Sequence, residues 1–258
     1  MNMDNQAQVS IQRQGATLVI SIDRPHVKNA MGTQASEEMC AALDLLDNDP
    51  DLVVGIITGT GGNFCTGADL KAAARGERAM TAGRGGFGIV QKPPRKPVIA
   101  AVEGYAIGGG FEICLACDLV VAARDAKFGL PEVRSGVMAI GGALLRLPKR
   151  VPRAFAMEVI LGGQFYDAVD FQRHGLVNRI TEPGLALQEA QQWALALQEN
   201  APIALLCSKE VVDRSAHLSD DEAWKAQEPI ARRVLESRDR AEGFAAFAEK
   251  RKPRWTGQ

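Results

Sequence analysis

The stretch from Pro97 to Asp118, PVIAAVEGYAIGGGFEICLACD, joins three local patterns. Residues 97–102 are apolar and partly β-branched, which predicts a short buried strand. Three glycines at 108–110 let the chain turn and let another group approach closely. Residues 111–117 are mainly apolar and predict a buried helix. A strand, a glycine turn and a helix N-terminus together present free N–H groups and a positive dipole end.

Glu112 lies in the first turn of this predicted helix, which leaves two interpretations open. An acid at a helix start is common because it complements the positive end of the helix dipole. Beside an array of N–H donors it is also a candidate half of an active site. A second acid, Glu132, ends the sequence FGLPE, where Pro131 stiffens the chain. Two glutamates twenty residues apart are more often unrelated, but as a pair they can transfer protons beside a carbonyl.

A similar pattern precedes this stretch. Residues 53–58, VVGIIT, predict a buried strand, and a glycine-rich loop at 59–70 leads from it into a helix. Two such loops can aim backbone N–H groups at one point and so form an oxyanion hole, which stabilises negative charge on a carbonyl oxygen. The commoner use of such glycines is only to turn the chain.

The remaining segments predict an α/β fold. Strand, glycine turn and helix recur at 53–74 and 98–117, which indicates a stack of similar units. A Rossmann sheet is not favoured, because no G-x-G-x-x-G follows the first strand and no phosphate-binding P-loop is present. After Pro152 the patterns are largely helical. Composition therefore places a core at residues 1–200 and a helical C-terminal region at 201–258.

Composition excludes several classes of function. The chain has 258 residues, which fits one domain or one domain with a small extension. Its formal net charge of −1 suggests neither nucleic acid nor an anionic membrane as a partner. No uncharged run reaches the length of a membrane span, and the polar N-terminus lacks the apolar centre of a signal peptide. We expect a cytoplasmic protein.

The five cysteines form no regular framework, which is typical of reduced thiols. Cys114 and Cys117 make a C-x-x-C, but they lie in an apolar run where cysteine is usually a small core residue. A redox site remains the alternative. No second cysteine pair or nearby histidine completes a zinc site, so no metal is predicted.

Three stretches together resemble the crotonase (enoyl-CoA hydratase/isomerase) superfamily. They are residues 64–70 (FCTGADL), 97–118 and 128–147, and the resemblance runs from about Ile20 to Trp255. It implies a crotonase-like spiral of ββα units with a helical C-terminal trimerisation region, assembled as a homo-trimer or homo-hexamer. It also implies an acyl-CoA thioester as substrate, with no cofactor beyond the coenzyme A that the substrate carries.

The resemblance carries over onto four central residues. It implies that the backbone N–H groups of Ala68 and Gly109 form the oxyanion hole, and that Glu112 and Glu132 are the two acids of a hydratase. Isomerases, dehalogenases and hydrolases of this superfamily often keep only one of the two acids. Retention of both therefore implies an enoyl-CoA hydratase, which adds water reversibly across the 2,3 double bond.

The resemblance also implies contacts with coenzyme A. The residues that match the family's CoA-binding positions are His26, Lys28, Ala30, Asp69, Leu70, Lys71, Phe247 and Lys250. Phe247 and Lys250 match positions that reach the CoA of a neighbouring subunit. Without the resemblance, a solvated charge is the better interpretation of Lys28 and Lys250, and a core or interface anchor that of Phe247.

One departure from the hydratase pattern bears on the substrate. Ala139-Ile140 stands where many hydratases have Pro-Gly, and Ile140 brings a bulky apolar group to the expected acyl end. Several stretches, among them residues 69–74 and 144–149, resemble carnitinyl-CoA dehydratases. A carnitinyl-CoA dehydratase-like enzyme and an enoyl-CoA isomerase are thus the alternative activities. A catalytically inactive crotonase-fold binding protein is the alternative from another class.

Overall fold

The computed structural model describes residues 7–258. Its strands are β1 (Val9–Gln14), β2 (Thr17–Ile22), β3 (Val54–Gly59), β4 (Met80–Thr81), β5 (Gly85–Gly86), β6 (Val98–Val102), β7 (Tyr105–Ile107), β8 (Leu119–Ala123), β9 (Lys127–Gly129), β10 (Phe165–Asp167) and β11 (Arg179–Thr181). Its helices are α1 (Thr33–Asn48), α2 (Leu70–Ala74), α3 (Gly109–Ala116), α4 (Ala143–Arg150), α5 (Arg153–Gly162), α6 (Ala168–Arg173), α7 (Ala186–Gln198), α8 (Pro202–Ser215), α9 (Asp220–Leu235) and α10 (Arg238–Glu249).

The main sheet has the strand order β1-β2-β3-β6-β8-β11. β1 and β2 form an antiparallel hairpin, and from β2 onward the neighbouring strands are parallel. Parallel strands need covered faces on both sides of the sheet, which explains why β3, β6 and β8 read as continuous apolar runs rather than alternating ones. The sequence therefore predicted β3 and β6 nearly to the residue.

Helices cover the two faces of this sheet. α7 lies on one face, where its small residues Ala186, Ala190 and Ala194 pack against Val54, Ile56 and other strand residues. The larger apolar cluster on the other face includes side chains of α1 and α3. Phe111 of α3 contacts Phe128 and Phe171 edge-to-face at 5.4 and 5.1 Å between ring centroids. α3 is thus fixed on all sides, as its uniformly apolar sequence predicted.

A second sheet has three strands in the order β10-β9-β7. Its strand β7 is the segment of chain between β6 and α3. β7 and β9 are parallel, and the Gly108 N–H donates to the carbonyl of Gly129 at 2.9 Å. The chain that leaves β7 enters α3, and the chain that leaves β9 enters a short 3₁₀ helix at Pro131–Ser135. This sheet therefore brings the glycine turn and the Glu132 segment side by side.

The chain after Pro152 is less uniformly helical than its sequence predicts. The largely helical character is confirmed by α5–α10, but β10 and β11 also lie within this part of the chain and were not predicted. Each of these strands has three residues, which is too short to show an alternating pattern. None of the helices within residues 7–258 has the length and apolar character needed to span a bilayer.

The last three helices attach to the core through a few polar contacts. Lys209 of α8 donates to the Asp118 carboxylate at 2.6 Å and to the carbonyl of Lys96 at 3.2 Å. The C-terminal tail folds back on α10, where the buried Asp239 carboxylate accepts hydrogen bonds from the N–H groups of Thr256 and Gly257. These helices keep several large apolar side chains exposed, namely Trp224, Leu235, Phe244 and Phe247.

Candidate active site

The two glycine-rich loops meet at Gly67 and Gly109. A Cβ atom built on Gly67 lies 2.9 Å from the Gly109 nitrogen, and Gly67 has a φ of +91°, which L-residues rarely adopt. Parallel bridges hold the first loop in place by pairing Met31 with Ala68 and Cys65 with Ala106. The loops therefore touch backbone to backbone, which requires glycine.

Two N–H groups at this contact have no acceptor within residues 7–258. Met31 donates to Gly67 O at 2.8 Å, and Asp69 donates to Met31 O at 2.9 Å, so the Ala68 N–H between them points away from that bridge. Gly109 is the first residue of α3, where a helix leaves its N–H groups without intrahelical partners. Ala68 and Gly109 thus supply the unpaired donors that an oxyanion hole needs.

The Phe87 ring packs on the Gly109 side of this site. A Cβ atom built on Gly109 lies 2.1 Å from Phe87 Cζ, so the ring contacts the Gly109 backbone directly. Phe87 is buried and has a φ of 53°. At the next residue, a Cβ on Gly110 lies 2.0 Å from the Cys65 carbonyl oxygen. Close packing, as well as turning, therefore accounts for the consecutive glycines.

Glu112 is an acid inside this packing, with 3 % of its surface exposed. Its Oε1 accepts a hydrogen bond from the Ala143 N–H at 3.1 Å, at the start of α4. Burial raises the pKa of Glu112, and the nearby Glu132 carboxylate raises it further, against the hydrogen bonds from the Ala143 and Gly141 N–H groups. An acid that only stabilises the start of a helix interacts with the N-terminus of that same helix. The Glu112 carboxylate, which belongs to α3, instead accepts a hydrogen bond from the N-terminus of α4.

Glu132 lies on the other side of the glycine turn. Its Oε1 is 3.0 Å from the position that a Cβ on Gly108 would take. Its Oε2 is buried without a hydrogen-bond partner within residues 7–258. Burial also raises the pKa of Glu132. A buried carboxyl oxygen without a partner is costly, which indicates a group reserved for a ligand or a reacting proton.

A model of the family described as enoyl-CoA hydratase/isomerase matches residues 12–258. The chain belongs to this family. A carnitinyl-CoA dehydratase of Proteus mirabilis is 40% identical over 252 residues, which cover 95% of this chain and 96% of that protein. An enoyl-CoA hydratase of Mycobacterium tuberculosis is 36% identical over 250 residues, covering 94% of each. The predicted resemblance is therefore confirmed.

Solved structures of the enoyl-CoA hydratase/isomerase family confirm the predicted fold. A crystal structure of an enoyl-CoA hydratase from M. tuberculosis H37Rv superposes with a TM-score of 0.96 at 47% sequence identity, covering 98% of this chain and 100% of that one. A structure of an enoyl-CoA hydratase from Mycobacterium marinum gives the same values. The α/β core and helical C-terminal region thus follow the crotonase fold.

The loop carrying His26, Lys28 and Ala30 lies beside the first glycine-rich loop. Lys28 has a φ of 50°, and its ammonium group lies 4.8 Å from the centroid of the Tyr105 ring. Its carbonyl accepts a hydrogen bond from the Thr66 hydroxyl at 3.1 Å. A cavity of about 510 Å³ adjoins His26. The loop is therefore held next to the candidate oxyanion hole with its basic side chains outward.

The three neighbouring predicted CoA contacts differ in what their side chains do. The Asp69 carboxylate caps α2 by accepting from the Lys71 and Ala72 N–H groups, and it pairs with Arg24 at 3.1 Å. Burial raises the pKa of Asp69, but the hydrogen bonds from Ala72 and Arg24 outweigh it and leave that pKa below its usual value. Leu70 and Lys71 are exposed. Asp69 thus orders the loop, whereas Leu70 and Lys71 face solvent.

The two predicted contacts on the last helix lie at its end. Phe247 of α10 is 87 % exposed, and Lys250 ends the helix with a φ of 54°. No hydrogen bond or ion pair among residues 7–258 joins either of them to Glu112 or Glu132.

The surroundings of Cys114 and Cys117 argue against the alternative of a redox site. Cys114 and Cys117 are buried on α3 and just after it. Burial raises the pKa of Cys117 to about 12 and that of Cys114 well above its usual value. Thiols of that kind form few thiolates at neutral pH, so they are poor redox groups. The interpretation as core residues is confirmed.

Sequence reasoning missed three residues at this site: Phe87, Gly141 and Arg146. A Cβ on Gly141 lies 2.3 Å from Glu112 Oε2, so this glycine makes room for the carboxylate. Arg146 follows on α4 and acts on Glu112 through its charge. Their only sequence signal was their nearness to family motifs, because their partners lie 22 to 34 residues away in the chain.

Proposed function

We propose that this protein is an enoyl-CoA hydratase, which adds water reversibly across the 2,3 double bond of an acyl-CoA thioester. One observation carries the proposal. The buried Glu112 and the half-buried Glu132, whose Oε2 is buried, flank a turn that offers the N–H groups of Ala68 and Gly109, which have no acceptor within residues 7–258. Family membership and the two acids favour a hydratase over an isomerase. The intact site argues against an inactive binding protein.

The oxyanion hole binds the thioester carbonyl oxygen. When water adds at C3, the electrons of the double bond move toward C2 and the carbonyl, which creates an enolate-like oxygen. The Ala68 and Gly109 N–H groups stabilise that negative charge, and loss of one such donor typically costs about 2.7–4 kcal/mol. No metal or further cofactor is needed in this scheme.

The two glutamates have unlike surroundings, which separates their roles. Burial raises the pKa of Glu112, but the hydrogen bond from the Ala143 N–H and the charge of Arg146 act against that rise and favour its ionised form. Glu132 has a buried oxygen without a partner within residues 7–258, which favours its protonated form. Glu112 therefore takes a proton from the attacking water, and Glu132 delivers its proton to C2. Both hold the same water, so we expect their nearest oxygens to lie within roughly 6 Å.

Coenzyme A is expected to bind along His26, Lys28, Ala30 and the loop at 69–71. The exposed basic side chains of Lys28 and Lys71 suit its phosphates, and the cavity beside His26 adds room. All five cysteines are free, which supports a reducing, cytoplasmic location. Ile140 is 82 % exposed in the segment after Glu132, so it is available to contact the acyl chain.

A panel of enoyl-CoA thioesters tests the proposed reaction. Hydration is followed as loss of the enoyl thioester absorbance, using straight-chain, branched, aromatic and crotonobetainyl substrates. We expect at least one substrate to be hydrated, and its 3-hydroxyacyl product to be dehydrated in reverse. Binding of these thioesters without turnover in either direction would instead identify a binding protein. Preference for the crotonobetainyl thioester would identify the carnitinyl-CoA dehydratase alternative.

We also propose that the chain assembles as a trimer or hexamer, with Phe247 and Lys250 completing the CoA site of a neighbour. Monomers rarely expose a continuous apolar patch, yet Phe244 and Phe247 are both exposed on α10. Sedimentation is expected to show a trimer or hexamer. Phe247→Ser should raise KM for the CoA substrate, whereas Ile11→Ser, at an exposed apolar position on β1, should leave KM unchanged. A stable monomer at working concentration would refute this assembly.

A further inference from the structure

Phe87 fills the space that a side chain on Gly109 would need. A Cβ atom built on Gly109 lies 2.1, 2.5 and 2.8 Å from Cζ, Cε2 and Cε1 of the Phe87 ring, so the tip of the ring rests on this residue. Gly67 approaches the same residue from the first glycine-rich loop, where a Cβ on Gly67 would lie 2.9 Å from the Gly109 nitrogen. The backbone that carries this candidate oxyanion donor is therefore packed against both the loop and an aromatic ring.

The backbone of Phe87 has an unfavourable conformation. Its φ is 53°, in the left-handed region, which is rare for a bulky residue. Its N–H donates to the Ala79 carbonyl at 2.8 Å, and its side chain is buried. Such a conformation persists only where the surrounding structure imposes it, and examples are concentrated at functional sites. The position of Phe87 beside a candidate oxyanion donor therefore indicates a functional reason for the strain.

A strap of chain at residues 79–92 carries Phe87 and lies directly on α1. Within the strap, β4 and β5 pair antiparallel. A Cβ on Gly88 would lie 2.2 Å from the Ser36 carbonyl oxygen and 2.7 Å from the Cys40 nitrogen, so the strap touches the backbone of α1. The strap therefore reaches from α1 to the N-terminus of α3, where Phe87 contacts Gly109.

Arg84 fastens the strap to α1. Only 3 % of its surface is exposed, and its guanidinium donates to the carboxylates of Asp44 and Asp47 at 2.9 and 2.7 Å. The guanidinium also donates to the Lys92 carbonyl at 3.0 Å, and the Gln91 N–H donates to the Arg84 carbonyl at 3.0 Å. These bonds close the strap around Phe87. Because hydrogen bonds between charged groups are strong, the strap is fixed where it meets α3.

Gly109 needs such support because glycine adopts many backbone conformations at little cost. Its N–H lies at the start of α3, where no intrahelical acceptor fixes its direction. A donor in an oxyanion hole acts only when it lies about 2.7–3.1 Å from the position of the developing negative oxygen. A contact that limits the tilt of the Gly109 backbone therefore pre-organises this donor.

We propose that Phe87 is a positioning residue of the oxyanion hole, whose ring, held by the strap, keeps the Gly109 N–H directed at the thioester oxygen. Phe87 touches no reacting atom in this scheme and acts only through Gly109. The kinetic effect of the contact rests on the proposed hydratase function. Its effect on the carbonyl of a bound acyl-CoA does not, because an oxyanion hole polarises that carbonyl whether or not water is added.

The kinetic test compares Phe87→Leu with Phe155→Leu. Both phenylalanines are 8 % exposed, but Phe155 packs against Tyr166 and His174 instead of Gly109. Phe87→Leu is expected to lower kcat by about 10-fold to 10²-fold, because a misplaced group loses most of its effect on the transition state. Its KM should change much less, and its affinity for enolate-like analogues should fall with kcat. Phe155→Leu should keep the wild-type kcat.

A second readout does not depend on turnover. The probe is the saturated analogue of the tightest-binding thioester of the panel, isotope-labelled at the thioester carbon, and its C=O stretch is recorded by difference infrared spectroscopy. Hydrogen bonds to the carbonyl oxygen lower this frequency, so the wild type should show a lower value than free acyl-CoA. Phe87→Leu should move the frequency back toward the free value, and Phe155→Leu should not.

The outcomes separate this role from packing and from the proposed reaction. A Phe87→Leu carbonyl at the wild-type frequency, or equal losses of kcat in both leucine variants, would overturn the role of Phe87. A wild-type carbonyl that is not lowered at all would overturn the hole as well. A lowered carbonyl that Phe87→Leu reverses, without hydration of any thioester, would support this role and refute the hydratase. If Phe87→Leu does not fold, Phe87→Gly repeats the measurement, because glycine adopts the positive φ without strain.

Discussion

Replacing either glutamate with glutamine is expected to reduce hydration by about 10²–10⁴-fold. In Glu112→Gln the amide oxygen still accepts the Ala143 N–H, so the local structure is retained, but the amide cannot take a proton from water. In Glu132→Gln the amide cannot deliver an acidic proton to C2. The measurement is kcat for each variant on the best substrate of the panel.

A measurement of acyl-CoA binding distinguishes the loss of a proton-transfer group from a structural effect of the substitution. The thioester oxygen is held by backbone N–H groups, so the Kd for a non-reactive acyl-CoA should change little in both variants. Glu182→Gln is a matched control, because it makes the same substitution at an exposed glutamate, which pairs with the exposed Arg124 at 2.8 Å. Near-normal hydration by Glu132→Gln, together with none by Glu112→Gln, would favour a one-acid reaction of the isomerase type.

Gly109→Pro is expected to lower kcat by about 10²–10³-fold, since it removes one donor of the oxyanion hole. Proline is tolerated at the first position of a helix, where the missing N–H has no intrahelical acceptor, so α3 should remain formed. The variant should also lose affinity for enolate-like analogues, which depend on this donor more than the substrate does.

Gly109→Ala is the control for the added side chain. Both substitutions place a Cβ against Phe87, whose Cζ would lie 2.1 Å away, but only proline removes the N–H. The comparison is made in a Phe87→Ala background, which gives the Cβ room. If the alanine and proline variants lose equal activity there, the Gly109 N–H is not a donor and the proposed hole is wrong.

The sequence predicted most of the fold because its long elements carry strong local patterns. The apolar runs at 53–58 and 97–102 predicted buried strands, which the structure confirms as β3 and β6. The short strands β7, β9, β10 and β11 were not predicted. Three residues cannot display a period, so pairing with distant chain segments decides whether such a segment is a strand.

The sequence by itself determined the family and predicted the four central residues. The glycine pattern at 108–110 and the acids Glu112 and Glu132 could be recognised as a motif without coordinates, because motif residues sit at fixed spacings. Only the tertiary structure decided the surroundings of those acids. The Ala143 N–H binds Glu112, and Glu132 has an oxygen that no group in the described part of the chain binds. Neither fact follows from local sequence.

Arg84 and Arg146 show the physical reason for this division. Arg84, in a glycine-rich segment, is 3 % exposed because Asp44 and Asp47 of α1 neutralise it, and Arg146 is held by the carbonyl of Val90. From sequence alone, a charged residue is predicted to be exposed to solvent. Whether it is buried depends on partners that folding brings from distant parts of the chain. Local periodicity thus set the elements, whereas long-range packing set the charges that tune the site.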